Sequence, residues 1–353
     1  MKRQNPIFGF LTKDISFSFS IIFLLFLSII ILKSVAPSIF LLYFLSVFIG
    51  ICAFFVFAQL DFDIISLFSK HLYIFSIILL LATLIIGSVT RGTIRWIPIG
   101  PISLQPAEIV RPFLLIFFAN YLTFGKLDFI KIVKTFALAL LPVFLIFIQP
   151  SLGVSVLTLV GFLGVLISSK IDKKYVLFGG VALLVVSPLF WFVMAPYQQQ
   201  RIITFVSPSS DPLGAGYNSL QSTIAAGSGK ITGLGLGRGI QTQLSFLPEK
   251  QADFIFSAIS EELGFVGALL ATLASFIILY RLTAYIEQAV SPAARGYLSG
   301  FFLTYLIQIF IHIGMNIGLL PVTGLPFPLV SAGGSSLLAT LIGLGIASSS
   351  YKR

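Results

Sequence analysis

Charged side chains are scarce in this chain: Asp, Glu, Lys and Arg make up 10% of its 353 residues, while the hydrophobic types make up 57%. With a mean hydropathy of +1.05, that scarcity excludes a soluble domain, because too few polar groups remain to cover a water-facing surface. The bilayer must be the solvent, and spanning segments must satisfy their own backbone groups. Cysteine is almost absent. The single one, Cys52, lies in an apolar run, which excludes an internal disulfide and a cysteine metal site and leaves packing as its role. A small-residue cleavage site is also missing after the first apolar run, Ile15 to Leu32, so that run is expected to stay as a first helix. Acidic residues are outnumbered 12 to 22 by Lys and Arg, a net charge of +10. In a soluble protein that balance would suggest nucleic acid. Here most basic residues lie in short loops between apolar runs, where they set orientation, and nucleic acid is not an expected partner.

What the chain has in abundance is apolar length. Ten runs can be drawn, at 15–34, 38–59, 71–89, 107–123, 132–148, 153–169, 175–194, 255–280, 296–319 and 332–350, each near the length that crosses a bilayer. The expected fold is an all-α polytopic membrane protein of one domain, residues 1–353, with about ten transmembrane helices. A long, partly helical loop over 195–254 should join the seventh and eighth. An even number of crossings puts both termini on one side. The short connections of that side carry fourteen of the 22 Lys and Arg, among them Lys70, Lys131, Lys134, Lys170, Lys173, Lys174, Arg281 and Arg295. By the positive-inside rule that side is the cytoplasm.

Of the rest, Lys33 can snorkel at the end of the first run, and the others fall on the opposite face in two segments. Arg91, Arg95 and Arg111 form one group; Arg201, Lys230, Arg238 and Lys250 form the other. Long loops cross membranes largely regardless of charge, so tolerance is the simplest account. Against it, Glu108 stands beside the first group, and Glu249 and Asp253 beside the second. A mixed surface drawn from two distant parts of the chain suits an anionic ligand. The densest stretch is LPEKQADFIFSAISEELGF, 247–265, which passes from a polar loop into an apolar run and holds Glu249, Lys250, Asp253, Glu261 and Glu262. Charges at a membrane boundary are costly unless paired or wetted, which makes the cluster a candidate site and Asp253 its centre.

Around these lie weaker signals. Pro106 ahead of Ala107 and Glu108 fits a helix start, where a first-turn carboxylate is favoured, and pairing with Arg111 would be enough to explain Glu108. Glu261 and Glu262 fall inside the eighth helix, facing a wet cavity or forming a structural polar pair. The run GYNSLQSTIAAGSGKITGLGLGRGIQTQ, 216–243, holds a short amphipathic helix at 218–226 and then a glycine-rich tract. Lacking GKS or GKT and a preceding βα unit, the tract is not a phosphate loop; its glycines should let backbone approach lipid, ligand or a neighbouring helix. His312 could relay protons or serve as a hydrogen-bonded structural group. Gly333, Gly334, Ser335 and Ser336 permit close helix packing.

Five motif segments stand in order and in register: RGTIRWI with QPAEI, QPSLG at Gln149 to Gly153, GYNSLQSTIAAGSG, QLSFLPEKQADFIFSAISEELGF and GLLPVTGLPFPLVSAGGSS. Through them most of the chain resembles the SEDS family (shape, elongation, division and sporulation), which includes RodA and FtsW. The PVTGLP wording and the lack of long terminal extensions resemble the RodA, elongation-type branch more than the FtsW, division-type branch. The resemblance implies a peptidoglycan glycosyltransferase that polymerises lipid II, a polyprenyl diphosphate-linked disaccharide pentapeptide, at the outer face of the bacterial cytoplasmic membrane. It implies as partners a class B penicillin-binding protein, which is a transpeptidase, and other elongation-complex membrane proteins. The family's key aspartate matches Asp253 and its outer glutamate Glu108. Arg111 stands where a lysine is usual, Ser151 where an acid is, Gln251 and Ala252 where His-Thr precedes the aspartate, and Ala332 where a tyrosine is common.

In such a transfer a sugar hydroxyl attacks the anomeric carbon while a polyprenyl diphosphate leaves. Asp253 suits the base that takes the hydroxyl proton, with Lys250 nearby to favour its ionised form. Arg91, Arg95, Arg111, Arg201 and Lys250 are candidates to hold the diphosphate, arginine being able to grip phosphate bidentately. Glu249, Gln105, Gln221 and Ser222 complete the expected substrate-binding set. The resemblance implies opposite anomeric configurations in donor and product, hence one inverting displacement. Glu108 would orient the acceptor, pair with a basic residue or help hold a divalent cation. No cofactor is required by the sequence; Mg²⁺ or Mn²⁺ bound through phosphate is compatible with these carboxylates, which are not by themselves a metal motif. The competing readings are a flippase for lipid-linked sugar, a scaffold that only activates a partner, and a division-type, FtsW-like polymerase.

Overall fold

The computed structural model describes residues 14–90, 93–100, 102–124, 128–192, 194–207 and 214–351. The protein is an all-α polytopic membrane protein with one small sheet. In order come α1 (Ile15–Val35), a 3₁₀ turn (Pro37–Ile39), α2 (Phe40–Gln59), α3 (Phe62–Leu67), α4 (Ser69–Ile86), β1 (Ser88–Thr90), β2 (Thr93–Ile99), β3 (Ile102–Leu104), α5 (Pro106–Thr123) and α6 (Phe129–Ile148). After them come α7 (Leu152–Ser168), α8 (Lys173–Phe190), α9 (Pro196–Val206), α10 (Ala215–Ser228), α11 (Ile240–Gln243), α12 (Ile255–Glu287), α13 (Pro292–Asn316) and α14 (Gly334–Ser349). Each expected apolar run is a helix, with ends a few residues from those drawn, except that α12 runs on to Glu287.

Among the described residues six helices are long and apolar enough to cross a membrane: α1, α2 with the turn before it, α4, α6, α12 and α13. The apolar helices α7 and α14 are shorter, and Glu108 and Arg111 dilute the apolar run of α5. Prolines open α5, α9 and α13, where the missing N–H is one the helix could not have used. Asp14 caps α1 by accepting from Phe17 N at 3.1 Å and pairs with Arg281 Nε at 2.6 Å.

The stretch between α4 and α5 contains an antiparallel sheet of order β1-β2-β3, an element the expected all-α fold lacked. Ser88 pairs with Trp96 and Thr90 with Thr93, and Ile97 pairs with Leu104. Gly100, at φ 60°, sits where the second hairpin turns, and the β-branched Thr93, Ile94, Ile97 and Ile99 occupy the strand.

The chain forms two compact units: residues 1–55, 200–281 and 308–341 in the first, and 56–199, 282–307 and 342–353 in the second. In the second, α5 is buried along most of its length, with Phe117 stacked on Tyr73 at 4.3 Å and Phe118 edge-on to Phe162 at 5.0 Å. In the first, α12 is broken at Gly264 (φ 69°, ψ −167°), and the glycine-rich tract lies in the break. Leu234 N donates to Glu261 O at 2.9 Å, Gly235 N to Glu262 O at 3.0 Å, Phe265 N to Lys230 O at 2.8 Å and Val266 N to Ile231 O at 3.1 Å. Of the three roles open to the glycines, the one seen is close approach to a neighbouring helix.

A Cβ on Gly264 would lie 2.2 Å from Gly233 N, in a backbone region essentially reserved for glycine. Gly264→Ala is therefore expected to lose about 1–3 kcal/mol from conformation alone, with the clash added. Gly227→Ala, where nothing lies within 4 Å, is the matched control. Melting of the two variants in detergent checks this, and equal Tm values would refute it.

Candidate functional site

Asp253 sits in a tight turn, 249–254, directly before α12 in the first unit. Glu249 O closes the turn by accepting from Ala252 N at 3.0 Å and Phe254 N at 3.3 Å, with Glu249 itself in the left-handed region at φ 49°. Three consecutive carbonyls later in the turn are held from outside. Gln251 O accepts from Ala332 N at 2.8 Å, Ala252 O from Ser331 Oγ at 2.7 Å and Asp253 O from Asn316 Nδ2 at 3.0 Å. Phe254, Leu247 and Ala225 form a buried apolar floor beneath the turn, with Val322 packed against it.

Facing the turn is the segment between α13 and α14, which forms no helix or strand over 317–328 and must find partners for its carbonyls elsewhere. Side chains supply them: Arg201 Nη1 donates to Val322 O at 3.0 Å, His312 Nδ1 to Leu325 O at 2.7 Å, Gln308 Nε2 to Pro326 O at 2.9 Å and Ser28 Oγ to Val330 O at 2.5 Å. Since a carbonyl only accepts, His312 carries its proton on Nδ1, and the structural role is the one seen. Gly324 (φ 72°) lies at the centre: a Cβ placed on it would be 3.6 Å from both Arg201 Nη1 and Asp253 Oδ2. A carboxylate and a guanidinium thus border one small space.

Lys250, expected beside the Asp253 carboxylate, donates instead to the carbonyl of Thr242. Burial lowers its pKa from the ordinary lysine value, while Glu262 and Glu261 pull it back up. Both glutamates are fully buried where α12 breaks. Glu261 accepts from Gln241 N at 2.8 Å and Thr242 N at 3.0 Å, and Glu262 accepts from Gln243 Nε2 at 3.0 Å, so the pair latches the end of the loop, the structural alternative. Ser222 on α10 is also fully buried, bonded to Ser257 Oγ at 2.7 Å and Asn316 O at 3.0 Å, with Gln221 half-buried beside it.

In the second unit Glu108 occupies the first turn of α5 and pairs with Arg111 Nη2 at 2.5 Å, both side chains buried. Gln105, just before the helix, donates to Ser151 Oγ at 3.2 Å. Arg111 also lines a small apolar cavity with Leu115, Phe118, Leu157, Thr158 and Thr304. Arg95 is half-buried in β2, and Arg91 lies outside the described residues. Among the described residues no group of three or more His, Cys, Asp or Glu side chains is placed to hold a metal ion.

Residues 8–352 match the cell cycle protein family FtsW/RodA/SpoVE. The chain belongs to this family. Among FtsW/RodA/SpoVE relatives, the peptidoglycan glycosyltransferase MrdB of Escherichia coli (strain K12) is 37% identical over 305 residues, covering 84% of this chain and 81% of MrdB. A chain of known structure from a peptidoglycan synthase complex that coordinates polymerization and crosslinking aligns with a TM-score of 0.81 at 29% identity, covering 95% of this chain and 96% of its own. The rod shape determining protein RodA of Thermus thermophilus aligns at 0.72 and 26%, covering 95% of both chains. Sequence reasoning missed Gly324, Ser331 and the role of Asn316 in this family member. A proline-rich segment whose exposed carbonyls need donors was the available signal.

Proposed function

We propose that this chain is a peptidoglycan glycosyltransferase that polymerises lipid II, with the Asp253 turn at the outer face of the bacterial cytoplasmic membrane and both termini in the cytoplasm. The observation that carries the reading is the space at Gly324, bordered at 3.6 Å by a carboxylate oxygen and a guanidinium nitrogen. A glycosyl transfer from a diphosphate needs both, a base for the attacking hydroxyl and a cation for the leaving group. Asp253 takes the proton as the bond to the anomeric carbon forms and the diphosphate departs in a single inverting step. Arg201 meets the departing charge. A Mg²⁺ or Mn²⁺ ion carried by the diphosphate would add to its neutralisation.

The MrdB and RodA relatives favour the elongation role over division. The relative taken from a synthase complex supports a class B penicillin-binding protein as partner, with other elongation-complex proteins around it. Glycan-strand formation from purified lipid II, with and without the transpeptidase, tests the reading. Polymer is the expected product. No polymer, together with lipid II scrambling by the same protein in vesicles, would replace the transferase with a flippase.

A further inference from the structure

A carboxylate acting as a base must point at one hydroxyl, and the direction of the Asp253 side chain is set by the two peptide planes that flank its Cα. The plane before it carries the Ala252 carbonyl and fixes φ; Ser331 Oγ holds that carbonyl at 2.7 Å. The plane after it carries the Asp253 carbonyl and fixes ψ; Asn316 Nδ2 holds that one at 3.0 Å. Both anchors are tied down in turn. Ser331 Oγ accepts from Phe327 N at 2.8 Å. Asn316 uses every hydrogen-bonding position of its amide: Nδ2 also donates to His312 O at 2.8 Å, and Oδ1 accepts from Ser257 N at 3.0 Å and Ser257 Oγ at 2.9 Å. Because a backbone N–H only donates and the two carbonyls only accept, the orientation of this amide is unambiguous. Ser257 is the third residue of α12, so Asn316 supplies the cap that Phe254, the residue before the helix, has no side chain to give.

We propose that Asn316 and Ser331 are positioning residues for Asp253, an inference that rests on the reading of Asp253 as the base. Neither side chain needs to touch substrate. Each acts through one peptide plane, and a small misplacement of a reacting group costs up to about 10²-fold in rate. Asn316→Asp is the sharpest probe, since it keeps the shape and the acceptor but removes the two N–H donors. Ser331→Thr keeps the hydroxyl that Ser331→Ala removes.

The experiment compares wild type, Asp253→Asn, Asn316→Asp, Ser331→Ala and Ser331→Thr as full-length protein with its transpeptidase, using lipid II as the probe at equal folded amount. The expected result is a kcat lowered about 10²-fold in Asn316→Asp and about 10-fold in Ser331→Ala, KM for lipid II within about threefold of wild type, and recovery in Ser331→Thr. If Asn316→Asp does not fold, the Ser331 pair decides alone. A Ser331→Ala kcat within twofold of wild type, a change confined to KM, or equal losses in Ala and Thr overturns the inference while an inactive Asp253→Asn leaves the base reading standing. An active Asp253→Asn removes the base reading itself, and the inference with it.

Discussion

Asp253→Asn should lower polymer formation about 10²- to 10⁴-fold while lipid II binding and folding persist. Asparagine has the shape of aspartate, and the bonds that hold the turn engage backbone carbonyls of Gln251, Ala252 and Asp253. The substitution leaves those bonds in place and removes the carboxylate proposed to take the proton of the acceptor hydroxyl. Residual polymer is expected, because in the proposed mechanism Arg201 would still meet the leaving diphosphate and positioning would still contribute. Asp253→Glu separates charge from placement: the carboxylate survives but is carried one methylene further, so activity should lie between wild type and Asn. Rates from purified protein and its transpeptidase at saturating lipid II provide the measurement. Full activity in Asp253→Asn would mean that the chain supports a partner's chemistry without doing its own.

Much of this architecture was legible in the sequence, and the reasons differ by element. Apolar length is a direct consequence of bilayer thickness, so each run from Ile15–Val35 to Gly334–Ser349 is visible in the sequence alone. The β1-β2-β3 sheet was not, because glycine and proline punctuate hairpins as well as irregular loops, and pairing such as Ile97 with Leu104 is invisible to a reading that weighs breakers. The break in α12 was hidden too: one glycine in an apolar run looks like ordinary helix until a second strand of backbone, here Ile231 to Gly235, is seen lying against it. Residue type singled out Asp253 and Glu108 as candidates, since a carboxylate at a membrane boundary needs a reason to be there. Partners were harder. Proximity in sequence assigned Lys250 to Asp253, yet Lys250 turns to Thr242, and the groups that hold the Asp253 turn come from Asn316 and Ser331, more than sixty residues away.

The Glu108–Arg111 pair should give the largest effect on stability. Both side chains are buried and joined at 2.5 Å, so removing one charge leaves the other buried without that counter-charge. Breaking a buried pair from one side typically costs about 3–5 kcal/mol, whereas replacing both partners by well-packed uncharged side chains of similar volume, apolar ones above all, is often close to neutral. Glu108→Gln and Arg111→Met are each expected to lower Tm sharply, and the double variant should recover most of the loss, giving a strong coupling in the cycle. Additive losses would show that the two side chains are held by other groups. The same double variant separates the roles open to Glu108. If it serves only to neutralise Arg111, a double variant that melts like wild type should also polymerise lipid II like wild type. If its carboxylate also orients the acceptor or takes part in holding a cation, stability returns and activity does not. Measuring melting and turnover on the same four proteins therefore assigns Glu108 to the fold or to the reaction.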